Sequence, residues 1–352
     1  MRDRLIQTFY NLVKIDSPSG GEEEIIKFVV KKLTDAGCKV YVDSAGNVLA
    51  RCKGLGEPVL LSAHLDTVEP GRNIKPKIKN NSLVSDDTTI LGADNKVAVA
   101  SILDSLITVP ANKRRSLEII LSVREETDGG INHVDFSELK SKEGLVADSG
   151  EPIGTVILAS PWIEDFEIGV FGEAAHTSTP EEGINAISVA ANAISNLKWG
   201  KINEVTTTNI GIINGGYVTN TVPPLVEIKG EIRSFSQESF KNAKSKIDKV
   251  FQSEAKILGA KASLNHLFYC KGYQIPKDSE IVQKLAGIYG KLKITPRLVS
   301  SFGGSDANVL RANGINAINI GDGVENPHTV EERVSVKSLV QLRDIICEYI
   351  SS

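Results

Sequence analysis

A histidine and several acidic residues stand directly after apolar, strand-like segments of this chain. His64 and Asp66 follow the apolar run Val59–Leu61, and residues two apart on a strand point to the same face, so their side chains lie together. Two further strand-like segments, 119–123 and 145–147, each end just before acidic residues. In a mostly parallel sheet, ligands collect where the carboxyl ends of the strands meet. The pattern therefore predicts an α/β fold with a polar site at one edge of its sheet.

The residues placed in this way predict a site for two metal ions. In chain order they are His64, Asp66, Asp94, Glu125, Glu126, Asp148 and His328. Imidazole nitrogen and carboxylate oxygen suit zinc, and they also accept cobalt or manganese. Two ions about 3.5 to 4 Å apart need one carboxylate that binds both. We therefore expect two divalent ions per chain, most simply zinc.

Length and charge exclude several classes of protein. A chain of 352 residues, 41% of them hydrophobic, is long enough for two domains. Its net charge is -4 and it has no basic block, which argues against nucleic acid as a partner. No stretch approaches the roughly 20 apolar residues that a membrane span requires, and the first residues do not resemble a signal peptide. We expect no membrane association.

The cysteines predict a reducing location. They are Cys38, Cys52, Cys270 and Cys347. Because no two of them form a C-x-x-C pair, their spacing suggests neither a thiolate zinc site nor a disulfide framework. A cytoplasmic protein is the simplest expectation.

The order of elements predicts one domain inserted in another. Strands and helices alternate at both ends of the chain, but from residue 163 the pattern is βαββαβ, a ferredoxin-like unit. We expect a catalytic domain at 1–162 and 271–352, with a central mixed, mostly parallel sheet, and an inserted lid domain at 163–270. The lid sheet has a free face and edge, which indicates a homodimer. Near the N-terminus, Ser19–Glu22 is typical of a capping box that opens a helix reaching about Thr34.

The chain resembles the dizinc aminoacylase and peptidase family, in its peptidase T-like branch. The resemblance covers nearly the whole chain and rests on an ordered set of motifs: Ser62–Val68, Leu91–Lys96, Arg124–Glu126, Val146–Gly150, Ala175–Thr177, Gly303–Ala307 and Pro327–Thr329. Each motif alone is weak, but the ordered set is specific. It implies a zinc-exopeptidase-like catalytic domain with an inserted lid. In the related tetrahedral aminopeptidases the extra domain precedes the bridging aspartate, whereas here it falls between Asp148 and His328.

The resemblance assigns the metal ligands residue by residue. It makes Asp94 the carboxylate that bridges both ions. His64 and Asp148 complete the coordination of one ion, and Glu126 and His328 complete that of the other. Three carboxylates against two divalent ions leave positive charge that lowers the pKa of a bridging water, the expected nucleophile.

The resemblance also assigns the residues that act on the substrate. Asp66 orients the His64 ring, and Glu125 is the general base that moves a proton from water to the leaving amine. His176, in the inserted domain, stabilises the tetrahedral oxyanion, either in its own chain or across a dimer. The remaining positions contact substrate: Asn220, Arg233, Gly303, Gly304 and Ser305. A guanidinium suits a peptide carboxylate, and glycines allow close approach of the backbone.

Some of these residues also have plain structural interpretations. Asp148 could be a turn residue ahead of Ser149-Gly150, and Arg233 could pair with Glu231 or Glu227. We interpret His133 and His266 as structural.

The sequence departs from the family pattern in several places. Asn95 stands where relatives often carry a second aspartate, and residues 177–180 replace the usual loop after the histidine. The second change leaves the shape of that loop, and the size of the substrate, open.

The leading functional hypothesis is a zinc-dependent exopeptidase that removes the N-terminal residue from short peptides. In the family, aspartate at the position of Asp148 goes with aminopeptidases and dipeptidases, and glutamate goes with carboxypeptidases and deacylases. The alternative is an amidohydrolase that acts on N-acyl or N-carbamoyl amino acids. A third hypothesis, from another class, is a binding protein built on an inactive hydrolase scaffold.

Overall fold

The computed structural model describes residues 2–127 and 129–352. The chain divides into two units. Unit 1 comprises Met1–Ala159 and Gln274–Ser352, and unit 2 comprises Ser160–Tyr273. Unit 2 is a single stretch of chain, whereas unit 1 is built from the two ends.

The helices follow the apolar periodicity of the sequence. They are α1 (Arg2–Val13), α2 (Glu23–Asp35), α3 (Ala93–Thr108), α4 (Ala186–Ser195), α5 (Gln237–Ile257), α6 (Glu280–Lys291), α7 (Asp306–Ala312) and α8 (Val336–Ser351). In α1, Leu5, Phe9 and Leu12 recur at helical spacing and are buried. By contrast, α3 is buried on nearly every side, which agrees with its small apolar residues. Among the helices of the described ranges, none combines the length and apolar character needed to cross a membrane.

Within the described residues, the strands form three sheets. They are β1 (Lys39–Val42), β2 (Val48–Cys52), β3 (Leu55–His64), β4 (Lys77–Lys79), β5 (Ser82–Val84), β6 (Arg115–Ser122), β7 (Glu143–Ala147), β8 (Thr155–Ser160), β9 (Trp162–Phe171), β10 (Gly200–Asn203), β11 (Thr206–Gly215), β12 (Leu225–Ser234), β13 (Lys261–Cys270), β14 (Tyr273–Gln274), β15 (Arg297–Ser300), β16 (Asn316–Ile320), β17 (Val324–Glu325) and β18 (Arg333–Ser335). The small sheet β17-β18-β5-β4 was not predicted, because such short strands carry little periodicity.

The large sheet confirms the predicted α/β fold with a mixed sheet. Its order is β1-β2-β6-β3-β7-β16-β8-β14, with β15 beside β8. The central neighbours β6, β3, β7 and β16 are parallel, whereas β1, β2 and β8 join through antiparallel pairs. The four central strands therefore end at the same edge of the sheet.

Unit 2 confirms the predicted ferredoxin-like domain. Its sheet has the antiparallel order β10-β11-β12-β9-β13, with β10 added to the expected strands. Phe166, Ile168 and Val170 alternate along β9 and are buried in one core with residues of α4 and α5. This alternation places one sheet face under the helices.

The predicted capping box at Ser19–Glu22 is wrong in its contacts. Helix α2 begins at Glu23, and its N-cap residue Glu22 makes no side-chain capping bond. The Ser19 hydroxyl instead donates to Asp66 Oδ2 at 2.6 Å, and Glu22 Oε1 accepts from the backbone N–H of Arg124 at 3.0 Å. These side chains have partners far along the chain, which a local pattern does not reveal.

The cysteine spacing suggests no disulfide framework, but the structure contains a disulfide that this argument missed. Cys38 and Cys52 are joined, with 4.3 Å between their Cα atoms. The β1–β2 register pairs Lys39 with Arg51, so the next residue pair outward is Cys38 and Cys52. Only the register of the hairpin brings them together. The disulfide also weakens the argument from cysteine spacing for a reducing location, which stays a prediction.

Candidate active site

Strand ends of the large sheet and the start of α3 bring the predicted metal ligands together. His64 is the last residue of β3, Glu126 follows β6, and Asp148 follows β7. Asp94 is the second residue of α3, and His328 lies between β17 and β18. Residues that are up to 264 positions apart in the chain thus share one edge of the sheet.

Asp94 lies between the two histidines. Its Oδ1 is 3.3 Å from His64 Nε2, and its Oδ2 is 3.5 Å from His328 Nε2. Each carboxylate oxygen therefore faces a different imidazole, as a carboxylate that bridges two ions must do.

The other two predicted ligands complete the cluster. His64 Nε2 lies 3.6 Å from Asp148 Oδ1, and His328 Nε2 lies 2.8 Å from Glu126 Oε1. Within the described residues, two sets have ligand atoms within 4.8 Å of one another: His64, Asp94 and Glu126, and His64, Glu125 and Asp148. The cluster therefore offers enough donor atoms for more than one cation.

The charges of the cluster influence one another strongly. Burial acts to lower the pKa of His64, but hydrogen bonds to Asp148, Asp66 and Asp94 outweigh it and raise that pKa well above its ordinary value. Hydrogen bonds to Asp94 and Glu126 raise the pKa of His328 to about 10. Burial raises the pKa of Asp148 to about 7, although His64 opposes the shift. Closely packed carboxylates require cations or protons, so the site favours positive charge.

Glu125 is buried beside the cluster. Glu125 is 9% exposed. Burial, together with the negative charge of Asp148, raises the pKa of its carboxyl group well above the ordinary value. Glu125 lines a cavity of about 170 Å³ that is also lined by Glu126, Gly303 and Gly304. Its position in the cavity beside the ligand cluster suits a general base, and a raised pKa favours proton uptake.

Asp66 holds both His64 and the segment that carries Glu125. Its Oδ1 lies 3.3 Å from His64 Nδ1 and accepts from the Glu125 N–H at 3.0 Å. Its Oδ2 accepts from the Glu126 N–H at 3.2 Å and from the Ser19 hydroxyl at 2.6 Å. Since it is fully buried, these contacts fix its orientation.

Two asparagines that sequence reasoning did not select orient Asp148. Asn95 Nδ2 donates to Ala147 O at 2.5 Å and to Asp148 Oδ1 at 3.3 Å. Asn319 accepts from the Asp148 N–H at 2.9 Å and donates to Asp148 O at 2.7 Å. A polar residue inside the apolar strand β16 was the available signal for Asn319. For Asn95 the signal was its departure from the family pattern.

Asp306 is another missed residue, beneath the strand ends. It is 2% exposed, and its Oδ2 accepts from the hydroxyls of Ser62 and Ser122 at 3.0 and 2.6 Å. Burial raises the pKa of Asp306. Its acidic side chain within the Gly303–Ala307 motif was the signal.

The loop at 303–305 divides into two parts. Gly303 and Gly304 line the cavity that contains Glu125. Ser305 instead caps α7, where its hydroxyl accepts from the Ala307 N–H at 3.3 Å and from Asn319 Nδ2 at 3.1 Å.

The remaining predicted residues lie in unit 2. His176 and Asn220 are exposed and lie on neighbouring segments, because the Thr177 N–H donates to Asn220 O at 3.2 Å. Arg233 Nε and Nη2 donate to the carboxylate of Glu231 at 2.6 and 2.7 Å. This ion pair is the structural interpretation that the sequence left open for Arg233.

The other two histidines lie outside the cluster. His266 Nε2 is 2.9 Å from Asp248 Oδ1, and its Nδ1 is 2.7 Å from Glu164 Oε1, both in unit 2. His133 lines a separate cavity of about 480 Å³ beside β1 and β2. Neither belongs to the metal-ligand sets found among the described residues.

Comparison with known proteins agrees with this architecture. Residues 163–258 match the family model of the peptidase dimerisation domain of M20 proteins. The uncharacterized protein YqjE of Bacillus subtilis is 32% identical over 97% of this chain and 96% of its own length.

Two solved structures are similar over the whole length. Aminopeptidase PepT from Bacillus cereus is 32% identical with a TM-score of 0.89, and a tripeptidase from Staphylococcus aureus is 32% identical with a TM-score of 0.93. Each comparison covers 100% of this chain and 98% of the other. The chain therefore belongs to the M20 peptidase family, in its peptidase T-like branch.

Proposed function

We propose that this protein is a zinc-dependent exopeptidase of the aminopeptidase type, which removes the N-terminal residue from dipeptides and tripeptides. One observation carries the proposal: a buried Glu125 lies beside a cluster of histidine and carboxylate ligands at the sheet edge. The similarity to an aminopeptidase and a tripeptidase over the whole chain supports the substrate class.

The donor atoms of the cluster fit two divalent ions. Asp94 directs one oxygen to each histidine, which supports its assignment as the bridging ligand. We assign His64 and Asp148 to one ion, and Glu126 and His328 to the other. Zinc suits these nitrogen and oxygen donors, and cobalt and manganese are accepted by the same set. Bound ions would polarise the scissile carbonyl and make a water molecule more acidic.

Glu125 is the proposed general base. It takes a proton from the attacking water and returns it to the amine that leaves, so that the peptide C–N bond breaks into an amine and a carboxylate. Asp66 supports this role, because its Oδ1 accepts from the backbone N–H of Glu125 and fixes where the side chain begins. Asp66 also positions His64.

We assign the substrate contacts residue by residue, as the family resemblance implies. His176 stabilises the oxyanion, either in its own chain or across a dimer, and Asn220, whose segment is hydrogen-bonded to that of His176, binds the substrate backbone. Gly303 and Gly304 let the substrate approach closely, and Ser305 holds the end of their loop on α7. Arg233 binds the peptide carboxylate, in competition with its ion pair to Glu231.

We also propose that the chain forms a homodimer through unit 2. The match to a peptidase dimerisation domain supports this, as does the position of β13 at the end of its sheet. A ten-residue edge strand invites pairing with a second copy.

A panel of substrates tests the proposed activity. The purified protein, loaded with zinc or cobalt, should release the N-terminal residue from dipeptides and tripeptides, and a chelator should abolish the release. Glu125→Gln should lower kcat by about 10²–10⁴-fold, because the base is lost while its shape remains. Glu57→Gln, an exposed glutamate on β3, is the matched control and should keep full activity. Products are identified by mass spectrometry.

The same panel contains the competing substrates. If the protein left these peptides intact but cleaved N-acyl or N-carbamoyl amino acids, the amidohydrolase alternative would replace the proposal. If no substrate were cleaved although metal was bound, an inactive binding protein would be the better description.

A further inference from the structure

The backbone that leads into Asp94 is held by a carboxylate from a distant part of the chain. Glu332 Oε2 accepts from the N–H groups of Leu91 and Gly92, at 2.8 and 2.7 Å. Glu332 Oε1 accepts from the N–H of Asp94 itself, at 2.9 Å. Three donors within four residues therefore converge on one side chain, which is 1% exposed.

One of these contacts, to the N–H of Asp94, supplies an acceptor that the N-cap residue of α3 does not. Gly92 is the N-cap residue of this helix, has a φ of 67° and forms no side-chain capping bond. The N–H groups at a helix start lack partners within the helix and favour negative charge. Glu332 supplies such an acceptor, although it is 240 positions from Gly92.

Glu332 also belongs to the segment that carries His328. Its own N–H donates to Thr329 O at 3.0 Å, which closes a turn directly after His328. His328 Nε2 faces Asp94 Oδ2 at 3.5 Å. The segment therefore contacts Asp94 twice, once at its side chain through His328 and once at its backbone through Glu332.

We propose that Glu332 is a positioning residue of the metal centre, which fixes the direction of the Asp94 carboxylate and links it to His328. The inference rests on the metal centre of the proposed function. A carboxylate is required, because glutamine has one acceptor oxygen and its amide N–H groups would face the backbone donors. Loss of a residue that hydrogen-bonds to a metal ligand typically weakens metal binding by about 10- to 100-fold.

The test compares two adjacent glutamates in the full-length protein. Glu332→Gln should weaken binding of cobalt or zinc by about 10- to 100-fold, measured by competition with a chelator. It should also change the visible absorption spectrum of the cobalt-loaded protein. Glu331→Gln removes the same charge from an exposed neighbour and should match the wild type in both measurements.

Folding is separated from positioning by thermal unfolding of the metal-free proteins. If Glu332→Gln lowers only the metal-free Tm, while affinity and cobalt spectrum match the wild type, Glu332 is merely structural and the inference is wrong. If Glu332→Gln does not fold, Glu332→Asp is judged by the same criterion, since it keeps the charge but is one methylene shorter. A wild-type protein that binds no metal would instead overturn the proposed function itself.

Discussion

Single residues at this site hold several groups at once. Asp66 contacts the His64 ring, the backbone of Glu125 and Glu126, and the hydroxyl of Ser19. One buried carboxylate therefore aligns a proposed metal ligand and the proposed general base together. Replacing Asp66 should reduce metal affinity and activity more than the loss of any one of its bonds, because a single substitution disturbs all of these contacts.

Asp66→Asn should weaken metal binding by about 10- to 100-fold and lower kcat. The amide keeps one acceptor oxygen, so at least one pair of the four contacts is lost. Ser19→Ala removes a single contact and should have a smaller effect on both quantities. Chelator competition and steady-state kinetics measure the two effects. Equal metal affinity in Asp66→Asn and the wild type would argue against this role.

Among the elements, the β1–β2 hairpin is closed covalently. The disulfide between Cys38 and Cys52 spans 14 positions and joins the residue before β1 to the last residue of β2. A cross-link of this kind restricts the unfolded chain more than the folded one. The hairpin at this edge of the large sheet is therefore the element whose stability depends on redox state.

Cys38→Ser should lower the free energy of unfolding by about 3 kcal/mol in the absence of reductant, as expected for a loop of this length. With reductant present, most of this difference in the free energy of unfolding between the wild type and Cys38→Ser should disappear. Urea unfolding followed by circular dichroism measures both conditions. Thiol titration of the denatured, unreduced wild type should find two reactive groups among its four cysteines. Four reactive groups would contradict the disulfide.

The whole molecule is expected to be a dimer. Exposed apolar residues of unit 2 include Leu267 and Phe268 on β13, at 51% and 49% exposure. Large apolar side chains on an edge strand promote aggregation unless another protein surface buries them. The match to a dimerisation domain favours a second copy of the chain as the surface that buries them.

Static light scattering at micromolar concentration should give twice the chain mass of 37.9 kDa. Leu267→Lys should shift the mass toward the single chain, because a lysine on an edge strand opposes pairing. Ile107→Lys, at a 60% exposed position of α3 in unit 1, is the control and should remain dimeric. A wild type of 37.9 kDa would rule out the dimer under these conditions.

Local patterns predicted most helices and strands. The predictions failed for very short strands and for side chains whose hydrogen-bond partners lie far away in the chain. The βαββαβ order of unit 2 could be predicted, because each strand of ten or so residues alternates apolar and polar positions. The four-stranded sheet that includes β4 and β18 was missed, since strands of three residues show no period. The local pattern of Ser19–Glu22 predicts a helix cap, but Ser19 hydrogen-bonds to Asp66 and Glu22 hydrogen-bonds to the backbone of Arg124.

Local patterns were enough to predict the α/β fold class, because apolar periodicity involves only neighbouring residues, and the ordered motifs predicted which histidines and carboxylates cluster. The groups that hold these clustered side chains could not be predicted, because they come from distant parts of the chain. Glu332 reaches Asp94 across 238 positions, Asn319 reaches Asp148 across 171, and Cys38 meets Cys52 through hairpin register. A buried polar group needs a partner, but packing of distant strands and turns determines which one it finds.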